Sequence, residues 1–125
     1  MGVVRDERMD TRTKIVPPAE AARLAAAGAT VVSGYFDPLV AWHVDRLHEL
    51  KQSGGVLLVL IAQPENPILP ARARAELVAG LRGVDYVCES RDGIAAGVQL
   101  EKEHTHGLQD LIERVHSRAR AGQAV

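Results

Sequence analysis

A chain of 125 residues, 46% of them hydrophobic, is sized for one domain with one core, and with aromatics at only 3% that core falls to Ala, Val and Leu. The 15 basic and 16 acidic residues leave a formal charge of -1, which supplies no field for nucleic acid or an anionic lipid surface. Cys88 is the single cysteine, so an intramolecular disulfide and a cysteine metal cluster are excluded, and no run reaches the ~18–20 apolar residues of a membrane span. A cytoplasmic protein that engages neither nucleic acid nor membrane is the expectation.

Residues 1–14 mix both charge signs and are expected to be flexible, as are residues 121–125; residues 15–120 form the expected domain. Pro17-Pro18 introduces a helix over 19–27, closed by Gly28 in a C-terminal capping position. An apolar run over 29–32 predicts a first strand. Gly34 then marks a tight turn, and Asp37-Pro38 predicts the N-cap and first-turn proline of a helix running to Gln52. In that helix Val40, Val44 and Leu47 form an apolar stripe, while Trp42, Asp45, Arg46 and Glu49 face away.

Val56 to Ala62 is an uninterrupted aliphatic run, the pattern of a parallel strand covered on both faces. A helix over 70–82 with Ala75, Leu77, Val78 and Leu81 apolar leads to a third strand over 84–88, in which Cys88 reads as a small core residue. A short, polar strand over 98–101 and a closing helix over 108–120, with Leu108, Leu111, Ile112 and Val115 inward, complete the chain. Right-handed crossovers then predict a Rossmann-like three-layer α/β sandwich with four parallel strands in the order 3-2-1-4.

The segment from Val31 to His43 carries the chemistry. A strand that runs through Ser33, Gly34, Tyr35, Phe36 and Asp37 into a helix presents backbone N–H groups above the strand's end, a setting that favours phosphate. His43 is a candidate phosphate donor, or equally a half-buried structural histidine. Trp42 reads as an interface anchor or a plug over a pocket ahead of a base-stacking platform. Arg74 is placed to meet an anionic ligand, or lies with Arg72 on a solvated helix face. His104, Thr105 and His106 offer further donors, although two imidazoles at i and i+2 make a poor metal site and a polar helix start explains them more simply.

This segment resembles the signature of the cytidylyltransferase-like nucleotidyltransferases, in which a strand enters Gly-x-Phe-Asp-x-x-His-x-Gly-His and then a helix. Gly34, Phe36, Asp37 and His43 occupy four of those places. With Lys14-Ile15-Val16, the Ala-rich helix and Val84-Asp85-Tyr86-Val87, the chain from about Lys14 to Arg118 looks most like the adenylyltransferase domain that acts on heptose 1-phosphate. The resemblance implies nucleotidyl transfer from ATP or CTP to a sugar or polyol phosphate with release of pyrophosphate. It implies Mg-ATP or Mg-CTP as substrate, with no cofactor held by protein side chains.

Four departures strike at that chemistry. Val40 stands where the family has its first histidine, and a hydrocarbon cannot donate to a phosphate. Trp42 replaces the motif glycine, where backbone and ligand approach closely. The loop Gln63-Pro64-Glu65-Asn66-Pro67 lacks the family's lysine, and Gly107-Leu108-Gln109 lacks the hydroxyls of the triphosphate-binding turn ahead of Leu111-Ile112-Glu113-Arg114. Apart from these four, about 30 residues, one βα unit, are missing between Ser90 and Gly97. Each lost donor is typically worth ~2–4 kcal/mol in a transition state, so the expectation is a catalytically impaired or inactive domain. The alternative is a nonenzymatic nucleotide- or phosphate-binding module, or an interaction module for a second copy or another protein through Trp42 and an open sheet edge.

Overall fold

A computed structural model describes residues 10–52 and 54–101. Helix α1, Pro18–Ala26, begins with a proline whose missing N–H costs nothing in the first turn, and Gly28 beyond its end takes φ +104, a conformation that glycine adopts without penalty. Strands β1 (Thr30–Gly34), β2 (Leu57–Ile61), β3 (Tyr86–Cys88) and β4 (Val98–Gln99) pair in parallel in the order β3-β2-β1-β4. The expected topology is the observed one. Helices α2 (Ala41–Gln52) and α3 (Ala71–Ala79) link β1 to β2 and β2 to β3.

Strand alternation divides the core. Val32, Leu57, Val59, Ile61 and Val87 meet Leu47 of α2 and Ala75, Val78 and Ala79 of α3 on one face. Val31, Leu58, Leu60 and Cys88 meet Ala21 of α1 and Ile94 on the other. All five residues of β2 are buried, as its unbroken aliphatic pattern requires of a strand with both faces covered. At ~1.5–3 kcal/mol for each fully buried aliphatic side chain, β2 is the largest single apolar contribution among the strands.

The outer edge of β3 is not bare. Ile15 forms a parallel bridge with Val87, and the Val16 N–H donates to the Val87 carbonyl at 2.8 Å, so two residues ahead of α1 satisfy part of that edge. At the opposite edge β4 is shorter than expected. The chain turns helical at Leu100 and Glu101, and Leu100 is fully buried in the core, 3.4 Å from where a side chain on Gly34 would start. Between β3 and β4 the chain crosses without a regular element, matching the missing βα unit. The expected closing helix, with His104, Thr105 and His106 ahead of it, lies outside the described residues.

Three expectations about the helices require correction. Helix α2 starts at Ala41 instead of Pro38, because the Asp37 carboxylate that would cap an earlier start is engaged elsewhere. Its inward positions are His43 and Leu47, whereas Val40 and Val44 are each 37% exposed. Counting aliphatics passed over the imidazole that sets the helix's inward face. In α3 the inward residues include Arg74, while Leu77 is 48% exposed. The guanidinium reaches backbone acceptors that an aliphatic chain cannot use.

Candidate functional site

In an open parallel sheet, ligands gather beyond the carboxyl ends of the strands where neighbouring connections diverge. That point here lies between β1, whose chain continues toward β2, and β4, which returns from β3 to the far side of β1. The β1 exit therefore places Ser33, Gly34, Tyr35, Phe36 and Asp37 where the sequence pattern expects phosphate.

Gly34 is required for a reason other than a turn. It lies within β1, and a Cβ built on it would sit 2.7 Å from Cε2 and Cζ of Phe36. Phe36 itself takes φ 49, in the left-handed region, and its fully buried ring folds back beneath Gly34. The same ring lies 5.1 Å from the His43 imidazole, tilted by 59°. Gly34, Phe36 and His43 thus form one packed unit, and the Trp42 ring lies 4.4 Å from the His43 ring, tilted by 31°. Trp42 is half-buried against that imidazole, which corrects the expectation of an exposed indole.

His43 is 1% exposed, and its Nδ1 accepts the Val40 N–H at 2.9 Å. Val40 directly precedes α2, so the imidazole performs the backward half of a capping box, in which the third helical residue satisfies the backbone donor of the N-cap. An accepting Nδ1 places the ring proton of neutral histidine on Nε2. The side chain that resembles a catalytic group therefore also holds the start of its own helix.

Asp37 caps a different segment from the one expected. Its two carboxylate oxygens accept the N–H groups of Ile68 at 2.6 Å and Leu69 at 2.8 Å, fastening the β2–α3 loop to the β1 exit. Arg74 fastens the same two segments from inside. It is fully buried, donating from Nε to the Leu69 carbonyl at 3.0 Å and from Nη1 to the carbonyls of Tyr35 at 3.0 Å and Ala62 at 2.7 Å. From Nη2 it donates to Oε1 of Gln63 at 2.8 Å. The solvated-face expectation holds for Arg72, which pairs with Glu76 and Glu89, and fails for Arg74, whose donors satisfy loop carbonyls in the interior.

Ser33, also fully buried, has a hydroxyl with no hydrogen-bond partner among the described residues. No group of three or more His, Cys, Asp or Glu side chains suited to a metal ion occurs among the described residues. No helix there is long and apolar enough to cross a membrane. An apolar groove of about 550 Å³ lies away from the β1 exit, bounded by Ala22, Ala25, Val31, Ile94 and Val98. At the amino end of β2, Lys51 donates to Asp85 at 2.7 Å and the Leu57 N–H donates to the same oxygen at 2.8 Å. Burial raises the Asp85 pKa, yet these hydrogen bonds outweigh it and hold the carboxyl below its ordinary 3.8.

Sequence reasoning found the β1 exit but missed the hub behind it. Gln63, Leu69 and the Tyr35 and Ala62 carbonyls carry no motif, and the only available signal was an arginine at a position whose neighbours Ala75 and Val78 are core residues.

The sheet order and the β1 exit define a Rossmann-like α/β domain. No protein-family model matches the chain. Among curated proteins it is similar to FAD synthases from archaea: 42% identical over 62 residues to that of Halomicrobium mukohataei, covering 45% of this chain and 43% of the relative. It is 38% identical over 71 residues to that of Pyrococcus horikoshii, covering 50% and 48%, and 38% identical over 65 residues to that of Thermococcus kodakarensis, covering 46% and 44%. The matched segments span about half the length of these relatives. Fold and similarity together support a nucleotidyltransferase-like domain of the cytidylyltransferase-like superfamily; they do not carry the finer likeness to the heptose 1-phosphate enzyme.

Proposed function

We propose that this domain binds a nucleoside triphosphate, as Mg-ATP or Mg-CTP, at the β1 exit, and that its capacity to transfer the nucleotidyl group is impaired or lost. The observation that carries the reading is the packed unit of Gly34, Phe36 and His43 at the carboxyl end of β1, beside the point where the sheet's connections diverge. The similarity to FAD synthases supports the reaction class. FAD joins an adenylate to a ribityl phosphate through a pyrophosphate link, so a polyol phosphate is the acceptor on which the family's chemistry and those relatives' name agree. A sugar phosphate such as heptose 1-phosphate is the second acceptor to try.

In such a transfer the acceptor's phosphate oxygen attacks the α-phosphorus, the bond to the β,γ-pyrophosphate breaks, and pyrophosphate leaves with its charge stabilised by donors around it. Metal enters with the nucleotide as part of the substrate. His43 Nε2 and the backbone N–H groups of the β1 exit are the donors assigned to that role. Val40 supplies none where the motif has a histidine, and the Gln63 to Pro67 loop has no lysine. Those losses are the grounds for impairment. They equally favour the second reading, a nonenzymatic binder of nucleotide or phosphorylated small molecules, with a second copy or another protein as partner through Trp42.

Isothermal titration calorimetry with Mg-ATP and Mg-CTP to millimolar concentration tests binding, with His43→Ala as the variant. Pyrophosphate release in the presence of FMN tests transfer. Binding without release supports the impaired domain, release at an enzymatic rate restores full catalysis, and no heat from the folded protein refutes the nucleotide site.

A further inference from the structure

The parallel ladder between β1 and β2 stops one rung before the chain geometry requires. Gly34 lies opposite Ile61, and the Ala62 N–H donates to the Gly34 carbonyl at 2.8 Å. The next rung of a parallel pair would be the Phe36 N–H to the Ala62 carbonyl. That carbonyl is instead taken by Nη1 of Arg74 at 2.7 Å, and the second hydrogen of the same nitrogen holds the Tyr35 carbonyl at 3.0 Å. One guanidinium nitrogen is wedged between the two strand ends, and the Phe36 N–H makes no hydrogen bond to any described residue. Buried backbone donors left in that state are rare, and Phe36 is fully buried.

The consequence follows from peptide planarity. In the trans peptide joining Tyr35 to Phe36 the C=O and N–H point in opposite directions, so holding the carbonyl toward Arg74 turns the Phe36 N–H away from it. The left-handed φ of Phe36 prevents the backbone from simply resuming the strand. We propose that Arg74 is a positioning residue for anion binding: its buried guanidinium intercepts the last rung of the β1–β2 ladder and thereby releases the Phe36 amide as a donor for a phosphate oxygen. This rests on the nucleotide-binding reading above and assigns Arg74 no contact with ligand. Its bonds to Leu69 and Gln63 keep the guanidinium in register, and Asp37 holds the same loop from the outside.

NMR of the ¹⁵N,¹³C-labelled chain tests the wedge without ligand, through the scalar coupling that a Phe36 N–H···O=C Ala62 hydrogen bond would transmit. The coupling is expected to be absent in the native chain, and its presence there overturns the proposal whether or not any variant folds. Inorganic pyrophosphate is then titrated. The Phe36 amide proton is expected to move downfield in the native chain, and in a folded Arg74→Met variant to stop responding, with at least tenfold weaker pyrophosphate binding and the ladder coupling now visible. Arg72→Met removes a cation from the solvated face of the same helix and is expected to keep the native response. An unchanged Phe36 response in folded Arg74→Met refutes the positioning role. If the native chain ignores millimolar pyrophosphate, the nucleotide-binding reading and the anion role fall together, while an absent coupling still supports the wedge itself.

Discussion

Replacing Gly34 by alanine is the sharpest test of how the β1 exit is built. In an ordinary strand that change is stabilising by roughly 0.5–1 kcal/mol, because glycine loses more backbone freedom on folding. Here the new Cβ would lie 2.7 Å from two carbons of the Phe36 ring, about 1 Å inside the ~3.5–4.0 Å separation of carbon atoms in contact. The ring cannot swing aside freely, since it is fully buried and backed by the His43 imidazole, and Leu100 lies 3.4 Å from the same new atom. Overpacking of this kind costs about 1–3 kcal/mol, so Gly34→Ala should be destabilised against its intrinsic preference. Urea unfolding followed by circular dichroism would show a lower midpoint with an unchanged slope. In a Phe36→Leu background the same substitution should cost less by at least about 1 kcal/mol, because the clashing atoms are gone. A neutral or stabilised Gly34→Ala, or an equal cost in both backgrounds, would refute the argument that the ring is what demands glycine.

Removing the outer clamp with Asp37→Ala should cost about 1–2 kcal/mol, since two backbone donors lose a charged acceptor, and Asp37→Asn should recover part of that through its single carbonyl oxygen; chemical denaturation reads both. His43→Gln should be more stable than His43→Ala by about 1 kcal/mol, because a glutamine at the third helical position can also reach the Val40 N–H, while both variants should lose the calorimetric signal for Mg-ATP. Asp85 titrates below its ordinary 3.8 in the folded protein, so the unfolded chain binds the proton more readily over the interval below that value. The stability it contributes is present above pH ~4 and is lost as pH falls through the folded value, and Asp85→Asn should flatten that part of the stability curve measured by thermal unfolding.

The reach of sequence reasoning is clearest residue by residue. The aliphatic run of β2, the proline start and Gly28 end of α1, and the order of the four strands were all legible, because burial on both faces, helix capping and the handedness of crossovers act over short stretches or through general chain geometry. The segment proposed for the candidate site was singled out by the same kind of signal. Its internal workings were not legible. An Asp-Pro pair looks the same in sequence whether the carboxylate caps the next helix or a loop some thirty residues later, and only the fold brings Ile68 and Leu69 to Asp37.

Arg74 shows the same boundary from the other side. Local pattern places an arginine on a solvated face because desolvating a guanidinium is costly; the interior position becomes favourable only when distant carbonyls from Tyr35, Ala62 and Leu69 converge on it. The amino-acid sequence by itself determined the class of fold and the strand order, since these follow from periodicity, apolar burial and turn chemistry within each element. Which polar side chains hold the frame was decided only by the tertiary structure, because hydrogen bonds between residues far apart in the chain select the role of groups such as Asp37 and Arg74.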